Sequence, residues 1–164
     1  MSVFTHMDTN GNAIMVDVSG KAVTSRTAVA SGRIQMNQAC YEAVQQGMMK
    51  KGDVLGVAQI GGIMGAKRTS ELIPLCHILN LTKCGVKFFF HDETQEIEAQ
   101  CTVRCDGKTG VEMEALTGVS VALLTVYDMC KAVDKRMCIR DIHLVEKTGG
   151  KSGSFQYEPS TGTP

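Results

Sequence analysis

The stretch ALTGVSVALLTVYDMCKAV, residues 115–133, decides the fold that the sequence predicts. It is long and rich in Ala, Leu and Val, and it carries few polar residues, which is typical of a helix with little solvated surface. We therefore predict a central buried helix that ends near the sequence DKRM, residues 134–137. The other elements are expected to pack around it.

Four β-prone runs surround this helix along the chain. They cover residues 26–36, 81–90, 96–104 and 138–146, where apolar residues interleave with polar ones or β-branched and aromatic residues concentrate. The second and third runs are joined by HDETQ, whose charged and turn-favouring residues suit a hairpin connection. This pair of strands is therefore predicted to be antiparallel.

Two helices are predicted between the first and second strands. Asn37 is a favoured N-cap for a short helix that ends near Gly47. Asp53 can cap a longer helix, whose apolar residues recur at helical spacing until Pro74. Three glycines lower the intrinsic propensity of this longer helix, and we interpret them as places where another backbone packs closely rather than as ligand sites; they are Gly61, Gly62 and Gly65.

The order strand, helices, strand, strand, helix, strand is the split βαββαβ pattern of a ferredoxin-like α+β sandwich. We predict an antiparallel sheet with helices on one face and one extra helix. Since the opposite face also needs cover, this fold favours oligomerisation. The 164 residues fit a single domain over residues 1–164, with flexible termini at 1–14 and 154–164.

Composition narrows the function classes. The 17 Lys and Arg residues balance the 17 Asp and Glu residues, so no global basic field favours nucleic acid or an anionic membrane. No apolar run approaches the roughly 18 residues of a membrane span, and the first residues lack a signal-peptide pattern. Seven cysteines without a CxxC pair favour free thiols in a reducing compartment and argue against a metal site. We expect a soluble, cytoplasmic protein.

The sequence YDMCKAVDK, residues 127–135, places Asp128 and Lys131 three apart on one side of the central helix. One interpretation is an ordinary surface ion pair. The other is a proton-transfer pair, because an apolar helix would keep both groups partly buried, and burial lowers the pKa of a lysine and raises that of a carboxylate. The residues alone leave both open.

Three further groups of residues have a functional and a structural interpretation. Glu112 and Glu114 are expected to point the same way in an extended lead-in to the helix, or simply to favour its N-terminus. His77 follows Pro74 in an apolar stretch and is either a core histidine or a site residue. Scattered cations form a phosphate site only if they share a pocket; they are Arg26, Lys51, Lys67, Lys147 and Lys151.

Several long strings are similar to those of the MoaC family. They are MVDVSGK, LIPLCH, GKTGVEMEALT, VYDMCKAVDK and KTGGKSG, and they occur in the order of that family from Met15 to about Gly153. The resemblance implies a ferredoxin-like subunit in a homohexamer, a trimer of dimers, with active sites at the dimer interface. Alternatives are a ligand-binding module without turnover and a structural assembly protein, since fold alone does not give function.

The resemblance also implies a reaction. A cyclised dihydroguanosine triphosphate, supplied by a radical SAM GTP cyclase, would be rearranged to cyclic pyranopterin monophosphate with release of diphosphate, in molybdenum cofactor biosynthesis. No redox cofactor is implied, although a divalent ion could accompany the triphosphate. Partners of other kinds, nucleic acid or membrane, are not expected.

Roles for individual residues follow from the same resemblance. Asp128 and Lys131 take the catalytic positions. We expect Lys131 to act as general acid or base, with its pKa lowered by burial and neighbouring cations, and Asp128 to orient it or relay protons; either of the two could move the decisive proton. One departure from the family pattern is Ile78, where the family usually has proline, and another is GGIMGAK, which still keeps Lys67. The remaining residues would hold the substrate: Leu75, Cys76, His77, Met113 and Glu114 at its base end, with Glu112 in support, and Lys51, Lys67, Lys147 and Arg26 at its phosphates or in the partner's site.

Overall fold

The computed structural model describes residues 6–159. Its sheet has five strands, and every neighbouring pair of strands is antiparallel. Four helices accompany the sheet, as expected of a ferredoxin-like α+β fold. The strands are β1 Thr24–Gln35, β2 Leu81–His91, β3 Glu96–Gly107, β4 Cys138–Thr148 and β5 Phe155–Gln156; the helices are α1 Gln38–Gln45, α2 Val54–Lys67, α3 Thr69–Leu72 and α4 Glu112–Cys130. The order of the strands in the sheet is β2-β3-β1-β4-β5.

The predicted caps of the first two helices are confirmed. The Asn37 side chain accepts a hydrogen bond of 2.8 Å from the backbone N–H of Cys40, and Asp53 accepts one of 2.9 Å from that of Gly56. Each cap satisfies one of the donors that a helix leaves free at its start. Gly47 follows α1 with a φ of 68°, a left-handed conformation that suits glycine after a helix end.

The core lies between the sheet and the pair α2 and α4. Strand residues of one parity point into it, so that β1 and β3 bury small and medium side chains against the apolar face of α4. Removing this surface from water is the main stabilising term of the fold. The fully buried residues include Ala28, Ala30 and Ile34 on β1, Ile97, Ala99, Cys101 and Val103 on β3, and Val119, Ala122, Leu123 and Val126 on α4.

Glycines allow α2 and α4 to approach closely, as predicted. A Cβ on Gly62 would lie 2.9 Å from the carbonyl oxygen of Gly118, and one on Gly65 would lie 2.6 Å from a methyl group of Val121. On α4, a Cβ on Gly118 would lie 2.6 Å from the sulfur of Cys101. These glycines lower the helix propensity of α2 and α4, but they allow the two helices to pack in close contact.

Three predicted boundaries were wrong. The helix expected to run to Pro74 ends at Lys67, because the buried hydroxyl of Thr69 donates to the Ala66 carbonyl at 2.9 Å and a new turn, α3, begins there. The central helix starts earlier than expected, at Glu112, since Val111 is already buried at its N-cap position and two carboxylates in the first turn suit the helix dipole. It also ends sooner, at Cys130.

The C-terminal tail is more ordered than predicted. Within the segment expected to be flexible, β5 pairs with β4. Tyr157 then donates its backbone N–H to the Val145 carbonyl at 2.7 Å, and its ring lies 4.4 Å from that of His143. At the other end, Met7 and Ala13 form an isolated bridge. The rest of the predicted flexible termini, residues 1–5 and 160–164, lie outside the described residues.

The sheet face opposite the helices carries a charged network. Glu96 has no exposed surface and forms ion pairs with Arg33 at 3.2 Å and with Arg140. Glu98 lies 3.4 Å from Arg33 and 2.8 Å from His91. Burial alone would raise the pKa of both carboxyls, but hydrogen bonds from neighbouring hydroxyls and the basic side chains hold it below its usual range. Four strands, β1 to β4, are therefore linked by charges on this face.

Helix α4 is the one helix within residues 6–159 whose length and apolar composition would suffice to cross a membrane. Half of that window is buried inside the protein. Its apolar face packs on β1 and β3, as the core helix of a globular fold does.

Candidate active site

A cavity of about 330 Å³ opens where α4 begins. The chain before α4, the segment after α3 and the extended N-terminal segment form its walls. It gathers six of the residues assigned to the base end of the substrate, although they come from two distant parts of the sequence. These are Leu75, Cys76, His77, Glu112, Met113 and Glu114, and they are joined by His6, Val16, Val18, Lys21, Leu79, Thr109 and Gly110.

Glu114 is the most unusual group of this cavity, because it is only 5% exposed. Burial raises the pKa of its carboxyl to about 7, a backbone hydrogen bond opposes part of this rise, and the charge of Glu112 adds to it. Near neutral pH this side chain can therefore either accept or donate a hydrogen bond. Such an environment is typical of functional sites, although structural networks also produce it.

His77 and Cys76 have distinct surroundings in the same cavity. The Nε2 atom of His77 lies 2.7 Å from the carbonyl oxygen of Val16, so this nitrogen donates and, in the neutral ring, Nδ1 remains an acceptor. Burial raises the pKa of the Cys76 thiol, and the charge of Glu114 raises it further. A protonated thiol is a poor nucleophile, which agrees with a binding rather than a covalent role for Cys76.

A second cavity of about 800 Å³ lies beside the first and is lined by cations. Arg26 is fixed by the hydrogen bond that its Nε donates to the Gly107 carbonyl at 2.9 Å. Gly149 and Gly150 pass over β1 with φ angles of 90° and 82°, where a side chain would collide with the Ser25 backbone and the Arg26 guanidinium. The lining residues are Gly20, Lys21, Ala22, Thr24, Arg26, Gly150, Lys151 and Ser152.

Lys147 connects the two cavities. Its Nζ lies 3.2 Å from the Glu112 carboxylate in the first cavity and donates to the Ser152 hydroxyl at 2.6 Å in the second. Lys21 lines both cavities. Together they form one trough, which we call the charged trough, with carboxylates and His77 at one end and cations at the other. An elongated ligand with donors at one end and negative charge at the other suits this arrangement.

The sequence did not single out Lys21 as a site residue. Its position within MVDVSGK, a string of the family pattern, was the available signal. The structure places it in the charged trough because the extended N-terminal segment runs along that wall. Arg26, Lys147 and Lys151, which were predicted only as scattered cations, lie in or beside the same trough.

Asp128 and Lys131 do contact each other, with Nζ of Lys131 2.8 Å from Oδ1 of Asp128. Lys51 joins them, since its Nζ lies 3.5 Å from Oδ2 of Asp128 and donates to the Asp128 carbonyl at 2.9 Å. We call these three residues the lysine-aspartate cluster. However, none of these three residues lines the charged trough of the same chain.

The expected burial of this pair was wrong for the single chain. The side chains of Asp128 and Lys131 are 60% and 51% exposed. The hydrogen bond with Asp128 and its charge raise the pKa of Lys131, whereas a lowered pKa was predicted; the lysine likewise lowers the pKa of Asp128. The cause is position: the last turn of α4 emerges from the core, so its polar residues are solvated although most of the helix is not.

The two groups of predicted residues lie at opposite ends of α4. Glu114 is in its first turn and Asp128 in its last, and 14 residues at about 1.5 Å each separate them by roughly 21 Å along the axis. Lys67 lines a third depression, of about 340 Å³, with Ile63, Lys83 and Cys84. One chain therefore does not bring together the residues assigned to catalysis and those assigned to substrate binding.

Within residues 6–159, no three His, Cys, Asp or Glu side chains are grouped so that they could hold a metal ion. Cys101 and Cys105 lie on one face of β3 and are buried in the core. All seven cysteines are free thiols.

The fold and the charged trough define a ferredoxin-like α+β protein with a site for an elongated, anionic ligand. A family model described as the MoaC family matches residues 15–150. This chain belongs to the MoaC family and is an enzyme, which confirms the resemblance predicted from its motifs.

Similar proteins carry a functional name. A cyclic pyranopterin monophosphate synthase of Clostridium botulinum (strain Alaska E43 / Type E3) is 59% identical over 155 residues, which cover 94% of this chain and 98% of that protein. One from Peptoclostridium acidaminophilum is 56% identical over 155 residues, with the same coverage. One from Chloroflexus aggregans (strain MD-66 / DSM 9485) is 56% identical over 156 residues, which cover 95% of this chain and 94% of that protein.

Proposed function

We propose that this protein is a cyclic pyranopterin monophosphate synthase of molybdenum cofactor biosynthesis. Its substrate would be a cyclised dihydroguanosine triphosphate made by a radical SAM GTP cyclase, and its products cyclic pyranopterin monophosphate and diphosphate. The observation that carries this proposal is the charged trough, which separates acceptors for a guanine edge from cations for a triphosphate. The near full-length relatives of that name support it.

The carboxylate end of the trough suits the guanine-derived base. A guanine edge offers N–H donors, which carboxylates accept strongly. Glu114 is largely desolvated, so a hydrogen bond to it would meet little competition from water. His77, oriented by the Val16 carbonyl, would present its Nδ1 to the same ligand.

The cationic end suits the phosphates. Closing the cyclic phosphate forms a bond from a substrate hydroxyl oxygen to the α-phosphorus and breaks the bond to the departing diphosphate. Negative charge increases on the leaving oxygen, and cations stabilise that charge. Arg26, Lys147 and Lys151 would do so here, without a redox cofactor; a divalent ion bound to the triphosphate is compatible with this role.

The lysine-aspartate cluster would supply the proton transfers. Asp128 and Lys131 are in hydrogen-bond contact, and Lys51 adds a second positive charge beside them. In the site, desolvation by substrate and the second cation would lower the pKa of Lys131, which favours its use as a base. Asp128 would orient the amine and relay protons.

These roles require two chains. Because the cluster and the carboxylate end lie roughly 21 Å apart along α4, each complete site would combine the trough of one chain with the cluster of another. A two-fold contact with antiparallel α4 helices would satisfy this geometry at both ends at once. Large exposed apolar side chains on α2 and α4 would form such a contact: Val57, Ile60, Met64 and Leu124.

We further propose that such dimers assemble into a trimer of dimers. In this assembly, Lys67 would face the phosphates across a subunit boundary. The protein would be located in the cytoplasm. The polar open face of the sheet leaves room for further contacts between chains, since no helix of the described chain covers it.

The decisive experiment measures diphosphate release from the cyclised dihydroguanosine triphosphate. The wild-type protein should convert it with stoichiometric diphosphate, and Lys131→Ala should lose nearly all release while its thermal unfolding is unchanged. Tight binding by the wild-type protein without any turnover would instead favour a ligand-binding module.

A further inference from the structure

Asp134 is a buried carboxylate that the proposed chemistry does not use. It is 5% exposed and lies three residues after Lys131. Its Oδ2 accepts a hydrogen bond of 2.8 Å from the backbone N–H of Asn37, and its Oδ1 accepts one of 2.9 Å from that of Arg136. These hydrogen bonds hold the pKa of Asp134 below its usual range although burial opposes them. The carboxylate is therefore a buried anion that depends on both donors.

Asp134 joins two parts of the chain that together build the lysine-aspartate cluster. Asn37 is the N-cap of α1, and the loop between α1 and α2 carries Lys51. From this loop, Nζ of Lys51 donates to the Asp128 carbonyl at 2.9 Å. By binding the N–H of Asn37, Asp134 ties the start of α1 to the chain that leaves α4. These two helices have to stay aligned for the three residues of the cluster to meet.

The turn after α4 carries Lys131 and is closed by Asp134. The Asp134 N–H donates to the Cys130 carbonyl at 3.1 Å, while its carboxylate holds the N–H of Arg136, so the turn is fixed at both ends. The side chain of Lys131 is 51% exposed, and little packing holds it in place. The contact of its amine with Asp128 therefore depends on the backbone position that the turn gives it.

We propose that Asp134 is a positioning residue for the reaction: by fixing the turn after α4 against the start of α1, it holds Lys131 in contact with Asp128. This inference rests on the proposed function, in which the lysine-aspartate cluster transfers protons. Asp134 itself acts through the cluster and not on the substrate, since it is buried and both of its oxygens accept from backbone donors. Its loss should slow the chemical step and leave substrate binding in place.

Asp134→Asn is the smallest change that tests this role. The amide keeps one acceptor but turns its NH2 group toward one of the two backbone donors, so one hydrogen bond is lost. We expect kcat for diphosphate release to fall about tenfold or more, with KM unchanged within about twofold, because the proton-transfer group is misplaced. Asp134→Glu should behave in the same way, since it retains the charge but its longer side chain cannot keep the same contacts with both donors.

A measurement on the free protein separates positioning from a general loss of stability. Competitive acetylation of the lysines, read by mass spectrometry over a range of pH, reports how strongly the Lys131 amine holds its proton. The hydrogen bond with Asp128 and its charge raise the pKa of Lys131, and Tyr127 adds to this rise. In Asp134→Asn, acetylation of Lys131 should begin at lower pH, as in Asp128→Asn. The double variant should show no further shift, because both changes act through one contact.

Asp92→Asn is the matched control, because Asp92 also holds α1: its Oδ1 accepts from the Tyr41 hydroxyl at 2.7 Å and from Gln45 at 3.1 Å. It should leave kcat and the acetylation of Lys131 as in the wild type. Size-exclusion chromatography isolates the folded fraction of each variant before rates are compared, and Asp134→Glu provides the test if Asp134→Asn does not fold.

The inference is overturned if both Asp134 variants keep the wild-type kcat, or if their acetylation of Lys131 is unchanged. It is also overturned if the shifts of Asp134→Asn and Asp128→Asn add in the double variant, since the charge of Asp134 would then act on Lys131 directly. A wild-type protein that releases no diphosphate would overturn the proposed function, and this failure is seen separately from the acetylation of Lys131, which tests the positioning alone.

Discussion

Asp128 in the last turn of α4 and Lys131 directly after this helix form a 2.8 Å ion pair, and both side chains are more than half exposed. Asp128 raises the pKa of Lys131, so the amine stays protonated to a higher pH than an isolated lysine would. In a single chain the pair is therefore an acid with a strongly held proton. Its use as a base requires a changed environment.

The first prediction concerns the charge of Asp128. Asp128→Asn removes the group that raises the pKa of Lys131, so the acidic limb of the pH profile of kcat, where a base becomes protonated, should move to lower pH. The maximal rate should fall about 100-fold or more, in the range typical of lost proton-transfer partners. Lys135→Ala, which removes a nearby exposed lysine, should leave the profile in place. An unmoved acidic limb in Asp128→Asn would show that Lys131 does not titrate as the base of the reaction.

The second prediction tests the two-chain site by complementation. Lys131→Ala and Glu114→Ala should each be inactive, because each damages one half of every site. When the two variants are mixed in equal amounts and allowed to exchange subunits, half of the dimers should contain one chain of each variant. Each such dimer has one intact site out of two, so about a quarter of wild-type activity should return. Mass spectrometry verifies that mixed dimers form. Mixed dimers without activity would place both residues in a site within one chain.

The third prediction uses the raised pKa of Glu114. Its folded-state pKa of about 7 lies above the ordinary value of 4.5, so the folded protein binds an extra proton between these values. The contribution of Glu114 to the free energy of unfolding should accordingly be greatest below pH 4.5, and it should decline as the pH rises to about 7. The Glu114→Gln variant has no ionisable group at this position, so its free energy of unfolding should not show this decline. Relative to the wild type, its free energy of unfolding should therefore be about 1 to 3 kcal/mol higher at pH 8 than at pH 5.

Urea denaturation at both pH values measures this difference. Glu112→Gln is the control, since its carboxylate is paired with Lys147. An equal effect of Glu114→Gln at pH 5 and pH 8 would contradict the elevated pKa.

The fourth prediction concerns the contact between α2 and α4. Gly62→Ala places a Cβ 2.9 Å from the Gly118 carbonyl oxygen, and a backbone atom cannot move aside cheaply. The free energy of unfolding should fall by about 1 to 3 kcal/mol, which is the usual cost of overpacking a core. Gly85→Ala is the control, because nothing lies within 4 Å of its added Cβ. Equal stability of the two variants would show that the helices separate without cost.

Features that depend on local chemistry were predicted correctly. The caps Asn37 and Asp53 follow from side chains that reach the next turn of backbone, and the role of Gly62 follows from the absence of a Cβ. The alternation of β1 and β3 follows from the two-residue period of a strand. These signals lie within a few residues of the feature they determine, so one sequence contains them.

Features that depend on distant contacts were missed. The break at Arg68 depends on the burial of Thr69, and the pairing of β5 depends on Tyr157 reaching His143. The exposure of Lys131 could not be predicted, because helix composition does not say where a helix leaves the core. Lys21 was missed because its neighbours in the trough, such as Ser152, are more than 100 residues away in sequence.

The charged network on the open sheet face has a consequence for the trough. Sliding β1 by one residue against β3 or β4 would turn Arg33 toward the apolar side and leave Glu96 buried without its partners, which is costly. The network therefore fixes the alignment of β1, β3 and β4, including the opposite end, where Lys147 on β4 pairs with Ala28, two residues from Arg26 on β1. Glu96 lies opposite Gln35, nine residues from Arg26 along β1, and its ion pairs thus help to set the spacing of two cations of the trough.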